Sequence, residues 1–187
     1  MTVWQIYTDL SDKVASLVIP EAERTAATTK RFGGDGSPLR WRKPPRLEAY
    51  SYGRKKPMPL GDIGPFLPGA LVLSERARDA IGPFLSQFGQ LLPLQVEGIP
   101  HWFFNVTNLV HCIDKESSEP YVPGTVDKEA FIEAALPAEP SVFKDPLTAK
   151  ARIYVNDSGR RVLEDAMASA RIKGLMFLRT GAERRSA

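Results

Sequence analysis

The fold of this chain is decided by residues 70–96, which read ALVLSERARDAIGPFLSQFGQLLPLQV. The first four residues form a short apolar run, as expected of a buried strand. Ser74 stands where a helix N-cap is needed, and Glu75 puts a negative charge in the first turn, where the helix dipole favours it. Apolar residues then recur at helical spacing as far as Phe88, Gly89 ends the helix, and residues 91–96 form a second apolar run. This stretch predicts a strand, a helix and a strand in succession.

The same order recurs near the C-terminus. Residues 152–155 (RIYV) have the composition of a strand, Asn156 or Ser158 can cap a helix, and apolar residues follow at helical spacing to residue 170. Lys173 and Gly174 then stop the helix before the apolar run 175–178. We therefore predict an α+β protein with a mixed β-sheet that holds two β-α-β units, both in the same sheet. A length of 187 residues favours a single domain, which we place at residues 1–180, with a flexible tail at 181–187.

The remaining segments carry weaker signals. Residues 3–8 have strand composition, and residues 11–19 are compatible with a short helix that Pro20 ends. Residues 101–113 are strand-rich, with alternate side chains on opposite faces. Residues 114–140 are acidic and interrupted by prolines, which predicts a loop region.

Residues 28–68 form a distinct segment, rich in proline and glycine and without helical periodicity, which we call the basic arm. Residues 30–56 within it carry nine basic and two acidic side chains, a net charge of +7, whereas the rest of the chain sums to −4. We predict an irregular arm laid over the domain, because a disordered linker rarely holds so many large apolar groups. The expected anchors are Trp41, Leu47, Tyr50, Tyr52, Ile63, Phe66 and Leu67.

The basic arm is the candidate binding site. Its candidate partner-binding residues are Arg40, Trp41, Arg42, Lys43, Arg46, Arg54, Lys55 and Lys56. Cations interleaved with aromatic residues suit an acidic protein surface, where tryptophan and arginine are favoured anchors. They also suit the phosphates and stacked bases of a nucleic acid. A third interpretation is a solvated loop in which Trp41 belongs to the core.

Few residues have the chemistry of a catalytic or metal site. His101, His111 and Cys112 are the only histidines and the only cysteine, and a metal site needs three or four ligands. His111 and Cys112 are neighbours in a predicted strand, so they should point to opposite faces. The carboxylates Asp114, Glu116 and Glu119 are expected to be solvated. We therefore expect a binding protein without enzymatic activity, metal or cofactor.

The compartment follows from cysteine usage and hydropathy. A single cysteine allows no internal disulfide, which favours a reducing compartment. The N-terminal residues lack a basic start followed by an apolar run, and no apolar stretch is long enough to span a bilayer. We expect a soluble cytoplasmic protein that does not bind membranes; the oligomeric state stays open.

A series of short motifs between about Thr28 and Leu178 resembles a known family. The motifs are, in order, residues 57–63 (PMPLGDI), 71–77 (LVLSERA), 92–94 (LPL), 105–110 (NVTNLV) with Ile113 and Asp114, 142–143 (VF), 153–157 (IYVND) and 174–177 (GLMF). Their order is similar to that of immunity-protein family eleven of bacterial polymorphic toxin systems, a myxobacterial-type immunity domain. Asn156 departs from the serine expected there, although both residues cap helices.

The resemblance implies a protein that binds one cognate toxin or effector and neutralises it. It implies no catalytic residues, and it defines no partner-binding residues. A cytoplasmic immunity protein would meet a toxin that acts in the cytoplasm, such as a nuclease or a nucleotide-consuming enzyme. Because the basic arm carries the whole positive excess, we expect the partner to present an acidic face.

Overall fold

The computed structural model describes residues 1–8, 13–51, 56–120 and 126–180 of the chain. The strands of these residues are β1 (Val3–Thr8), β2 (Ser16–Val18), β3 (Arg46–Tyr50), β4 (Ile63–Gly64), β5 (Leu71–Ser74), β6 (Gly89–Val96), β7 (Ile99–Val106), β8 (Ile113–Pro120), β9 (Val126–Phe131), β10 (Val142–Phe143), β11 (Tyr154–Asn156) and β12 (Leu175–Arg179). The α-helices are α1 (Ala26–Lys30), α2 (Glu75–Leu85) and α3 (Asp157–Ala170). Short 3-10 turns lie at Glu21–Glu23 and Glu133–Ala135. No helix among these residues is long and apolar enough to cross a membrane.

The strands form three sheets. A four-stranded sheet has the order β10-β11-β1-β12, and a six-stranded sheet has the order β2-β3-β6-β7-β5-β4. Strands β8 and β9 form a separate antiparallel hairpin. Only β3 and β6 pair in parallel, so the six-stranded sheet is mixed. The α+β class is confirmed, but the prediction that both β-α-β units share one sheet is wrong, because each unit has its own sheet.

The two units are built alike. In the first unit, β5, α2 and β6 enclose β7; in the second, β11, α3 and β12 enclose β1. In each unit the enclosed strand is antiparallel to both flanking strands. The enclosed strand follows β6 directly in the first unit, whereas the N-terminus of the chain supplies it in the second. The units are therefore related like circular permutants of one motif.

Individual residues confirm this equivalence. The predicted caps are in place: the Ser74 hydroxyl accepts a hydrogen bond from the Ala77 amide at 3.2 Å, and the Asn156 side-chain oxygen accepts one from the Gly159 amide at 2.9 Å.

The residue that follows this amide donor in each helix is an arginine, which stacks on a tryptophan of the enclosed strand. The distance from guanidinium carbon to ring centroid is 4.0 Å for Arg78 on Trp102 and 4.1 Å for Arg160 on Trp4. In both units this tryptophan pairs with the residue just before the cap, Leu73 or Val155.

A common core joins the two units. Its buried residues come from both larger sheets and include Ile6 and Val155 of one and Leu71 and Phe104 of the other. Helices α2 and α3 pack against each other, and the Arg76 guanidinium donates to the Arg171 carbonyl at 2.6 Å, near the C-terminus of α3. Side chains that both sheets bury against the helices therefore hold the molecule together.

Three segments differ from the sequence-based expectation. Residues 16–18 form β2 rather than part of a helix, because they pair with β3 and bury Leu17. The basic arm is not wholly irregular, since it contributes β3 and β4 to the six-stranded sheet. The predicted loop region 114–140 begins with the β8–β9 hairpin; in its two strands only Ile113, Ser118 and Glu129 are buried, so most positions accommodate polar residues. The predicted tail 181–187 lies outside the described residues.

A buried polar network attaches this hairpin to the four-stranded sheet. Glu129 of β9 pairs with Arg152 and accepts a hydrogen bond from the Tyr154 hydroxyl at 2.5 Å. Arg152 also donates to the carbonyls of Val126 and Asp127, each at 3.0 Å. Burial, together with the Glu129 carboxylate, raises the pKa of Tyr154. The network supplies partners for charged groups that would otherwise be costly to bury.

Candidate functional site

The basic arm is fixed to the domain around Trp41. The indole N–H of Trp41 donates to the Arg31 carbonyl at 2.8 Å. Its ring lies 5.6 Å from the ring of Phe32 and 5.7 Å from that of Phe103, measured between centroids. Trp41 is half-buried against the cluster that contains both phenylalanines. Its main contacts are therefore those of a core residue.

The other predicted anchors behave in different ways. Leu47 and Ile63 are fully buried, and Phe66 and Leu67 pack against the same side of the domain as Trp41. Tyr50 was expected to anchor the arm but is 48% exposed at the end of β3. Tyr52 lies outside the described residues.

Around Trp41 the arm displays a group of exposed cations. We call Lys30, Arg31, Arg40, Arg42, Lys43 and Arg46 the basic surface; all six are exposed. The Arg31 guanidinium donates to the Lys43 carbonyl at 3.1 Å, which brings the end of α1 next to residues 40–43. None of the six forms an ion pair with a carboxylate in the part of the chain that the structure describes. Their charge is therefore available to a partner.

The remaining predicted binding residues are not part of this group. Lys56 is exposed and lies beyond the end of β3 that is opposite to Arg46; nearby, the Met58 amide donates to the Ser51 hydroxyl at 2.9 Å. β3 itself spans about 13 Å from Arg46 to Tyr50. Arg54 and Lys55 lie outside the described residues, so the structure does not place them.

Three polar side chains hold the first half of the basic arm, and sequence patterns alone did not reveal their role. The Gln90 side chain accepts from the Leu39 amide at 2.8 Å and donates to the Leu39 carbonyl at 3.2 Å. Asn105 donates to the Ser37 carbonyl at 2.9 Å. A polar residue within an apolar strand, as at Asn105, is the one signal that could have revealed these contacts.

The third of these side chains is a buried lysine. Lys144 is 1% exposed, and its ammonium donates to the carbonyls of Gly34 and Gly69, each at 2.9 Å. Burial lowers the pKa of Lys144 to about 8, although the nearby Asp35 carboxylate acts in the opposite direction. Gly36 has a φ of +90°, and a Cβ there would collide with Leu109. The turn at residues 33–37 is thus held in one conformation, next to the basic surface.

The candidate catalytic residues are dispersed. His101 is buried, with its Nδ1 3.1 Å from the Ile99 carbonyl, and it lines a shallow groove with Asp62, Ser74 and Asp79. Cys112 lies away from this groove, in a buried apolar cluster with Ile113 and Tyr154. Burial and the neighbouring Asp145 carboxylate raise the pKa of Cys112 to about 12, so the thiol is protonated at neutral pH. Neither Cys112 nor Asp114 lines the groove of His101.

The acidic residues Asp114 and Glu119 pair with other residues of the β8–β9 hairpin, and His111 lies just before this hairpin. His111 is exposed and lies before β8 rather than within a strand, so the strand-based reason for separating it from Cys112 is wrong. Asp114 accepts hydrogen bonds from the hydroxyl and the amide of Ser117, which lower the pKa of its carboxyl. Glu119 pairs with Lys128 across the hairpin at 3.1 Å. No three histidine, cysteine or acidic side chains among the described residues are grouped so as to hold a metal ion.

The arrangement therefore offers a positively charged surface on a fixed support. A scan against protein-family models finds no match to this chain, and a search of the curated proteins finds none either.

Proposed function

We propose that this protein is an immunity protein that binds a cognate bacterial toxin or effector through the basic surface and neutralises it by that contact. The motif order between about Thr28 and Leu178, which resembles immunity-protein family eleven, supports the class. The observation that carries the proposal is the set of six exposed cations without a described carboxylate partner. We expect the complex to form in the cytoplasm.

The support beneath the basic surface favours protein binding. The contacts of Trp41, Gln90 and Lys144 order the arm before any partner arrives. A preordered surface avoids the entropic cost of fixing loops and side chains during association. A specific complex would bury on the order of 1,600 Å². Its charged rim would mainly accelerate association with an acidic partner.

A nucleic-acid-binding protein that uses residues 30–56 is the alternative. It would use the same cations, but single-strand binding also needs aromatic faces that are open to stacking. Trp41 is half-buried, its ring is in contact with Phe32 and Phe103, and its N–H is already bonded to the backbone. This geometry favours a protein partner. Gel-shift titrations at low and moderate salt separate the two, because phosphate contacts weaken steeply with salt.

The proposal is tested by protection from toxicity. The products of the neighbouring genes are expressed one at a time in a host, with and without the chain, and growth is measured. We expect the wild-type chain to restore growth. We expect Arg42→Glu/Lys43→Glu to protect less well, because it reverses two charges of the basic surface without changing a buried side chain.

A matched control is Lys115→Glu/Arg161→Glu, which changes the net charge equally at exposed positions on β8 and α3. This variant should protect like the wild type. Equal loss of protection in both double variants would mean that net charge matters rather than the basic surface. No protection by the wild-type chain, or salt-sensitive binding to DNA or RNA instead, would contradict the proposal.

A further inference from the structure

One face of the four-stranded sheet is only partly covered. Val3, Gln5 and Tyr7 project from β1 to the side opposite α3, and the β8–β9 hairpin covers this side near Val3. Beyond the hairpin, Met176 and Leu178 of β12 lie opposite Tyr7 and Gln5 in the strand register. Met176 is 54% exposed and Leu178 is 45% exposed. Two large apolar side chains thus lie next to each other on an open face.

The equivalent face of the first unit is covered. The pairing of Phe177 with Ile6 corresponds to that of Leu91 with Phe104, so Met176 corresponds to Gln90 and Leu178 to Leu92. Leu92 is half-buried in the cluster that contains Phe32 and Trp41, and Gln90 binds the backbone of Leu39. In the first unit, the part of the basic arm that contains Leu39 and Trp41 therefore covers this face of the sheet. In the second unit the equivalent face is open.

Beyond Gly174, which lies against the backbone of Ile63, the outer edge of β12 is also open among the described residues. β12 is the last strand of its sheet, and no residue in the described part of the chain pairs with its outer side. A free edge presents a row of unpaired backbone N–H and C=O groups, which can bind a further strand. The partner can be characterised by charge. β12 contains no acidic residue, ends at the exposed Arg179, and follows the exposed Lys173.

We propose that β12 binds an extended segment of another protein as an additional strand. The segment places apolar side chains against Met176 and Leu178 and acidic side chains near Lys173 and Arg179. A second copy of this chain fits less well, because its own β12 offers only basic residues at the strand ends. This binding site is on a different sheet from the basic surface, and it does not require that the partner be a toxin.

The test uses a library of random twelve-residue peptides displayed on phage and selected against the full chain. We expect enrichment of peptides in which apolar residues alternate and acidic residues flank them. The most enriched peptide, once synthesised, should slow hydrogen exchange of the amides of residues 175–179. Its affinity should fall by about ten-fold in Met176→Ser/Leu178→Ser, which removes two apolar contacts. N-methylation of its alternate backbone amides should abolish binding.

The matched control is Leu147→Ser/Val162→Ser, which alters two other exposed apolar residues, 43% and 38% exposed, and should leave the affinity unchanged. The proposal is overturned if no peptide is enriched, or if the enriched peptides protect amides elsewhere. It is also overturned if the wild-type chain sediments as a dimer that Met176→Ser/Leu178→Ser dissociates, since a second copy would then occupy the edge.

Discussion

Lys144→Met should change how the stability of the protein depends on pH. The ammonium of Lys144 is buried, and it bonds two carbonyls that fix the turn beside the basic surface. An ammonium has three donors, but two suffice for these carbonyls, and a neutral amine also has two. The folded protein therefore accommodates the neutral form of Lys144 at less cost than the charged form, which is reflected in its pKa of about 8.

The sign of the effect follows from proton linkage. Between about pH 8 and pH 10.5 the unfolded chain keeps its proton on Lys144 while the folded protein has lost it. Stability rises with pH wherever the unfolded state binds more protons. The stabilisation is complete above the unfolded pKa and is lost as the pH falls through the folded pKa. The difference between the two pKa values corresponds to about 3 kcal/mol in the free energy of unfolding.

Urea titrations of the wild type and Lys144→Met at pH 7, 9 and 10.5 measure this difference. We expect the wild type to gain about 3 kcal/mol relative to the variant as the pH rises. Lys150→Met is the control, since Lys150 is an exposed lysine close by in the sequence and its removal should give a constant difference. Parallel pH curves for the wild type and Lys144→Met would show that Lys144 does not cause the pH dependence.

Four further substitutions test the packing by urea titration. Trp41→Ala should lower the free energy of unfolding by about 3 kcal/mol, because a large ring leaves the cluster beneath the basic arm; an unchanged stability would mean that Trp41 is not a core residue. Glu129→Gln leaves a buried guanidinium without its carboxylate, so we expect a loss of about 3 kcal/mol, with faster hydrogen exchange first in the β8–β9 hairpin. Arg78→Met and Arg160→Met each remove one cation–π contact together with ion pairs to acidic residues of the same helix, and each should cost about 1 kcal/mol. Clearly unequal losses would contradict the equivalence of the two units.

Local sequence patterns predicted the two β-α-β units well. The caps Ser74 and Asn156 and the strand at residues 3–8 follow from short-range chemistry that a single segment contains. Helix α2 ends at Leu85 rather than at Gly89, so only its boundary differed. The number of sheets could not be predicted in this way, because it depends on which distant strand pairs with which.

Segments whose structure depends on distant partners were predicted poorly. β2 exists because it pairs with β3, some thirty residues later in the chain. The β8–β9 hairpin is polar on its exposed side, and its register is interrupted by a bulge, so its sequence resembles that of a loop. Lys144 would ordinarily be placed on the surface. Its position next to Gly34 and Gly69 becomes evident only in three dimensions.

The candidate binding site was chosen from the charge asymmetry of the chain. The sequence placed the positive excess in residues 30–56, and the structure exposes Arg40, Arg42, Lys43 and Arg46 there without described ion pairs. Lys56 lies beyond the other end of β3 from Arg46 and is not part of this group. The sequence left open whether Trp41 contacts a partner or the core, and its ring contacts favour the core.

We propose that the basic surface binds an acidic face of a protein partner. The most direct test is the association rate between the purified chain and the neighbouring-gene product against which it protects, measured by stopped-flow fluorescence at low and high salt. We expect Arg42→Glu/Lys43→Glu to associate roughly ten-fold more slowly than the wild type at low salt, with a smaller difference at high salt. Lys115→Glu/Arg161→Glu should associate nearly as fast as the wild type. Identical association rates for the wild type and Arg42→Glu/Lys43→Glu at low salt would contradict the claim.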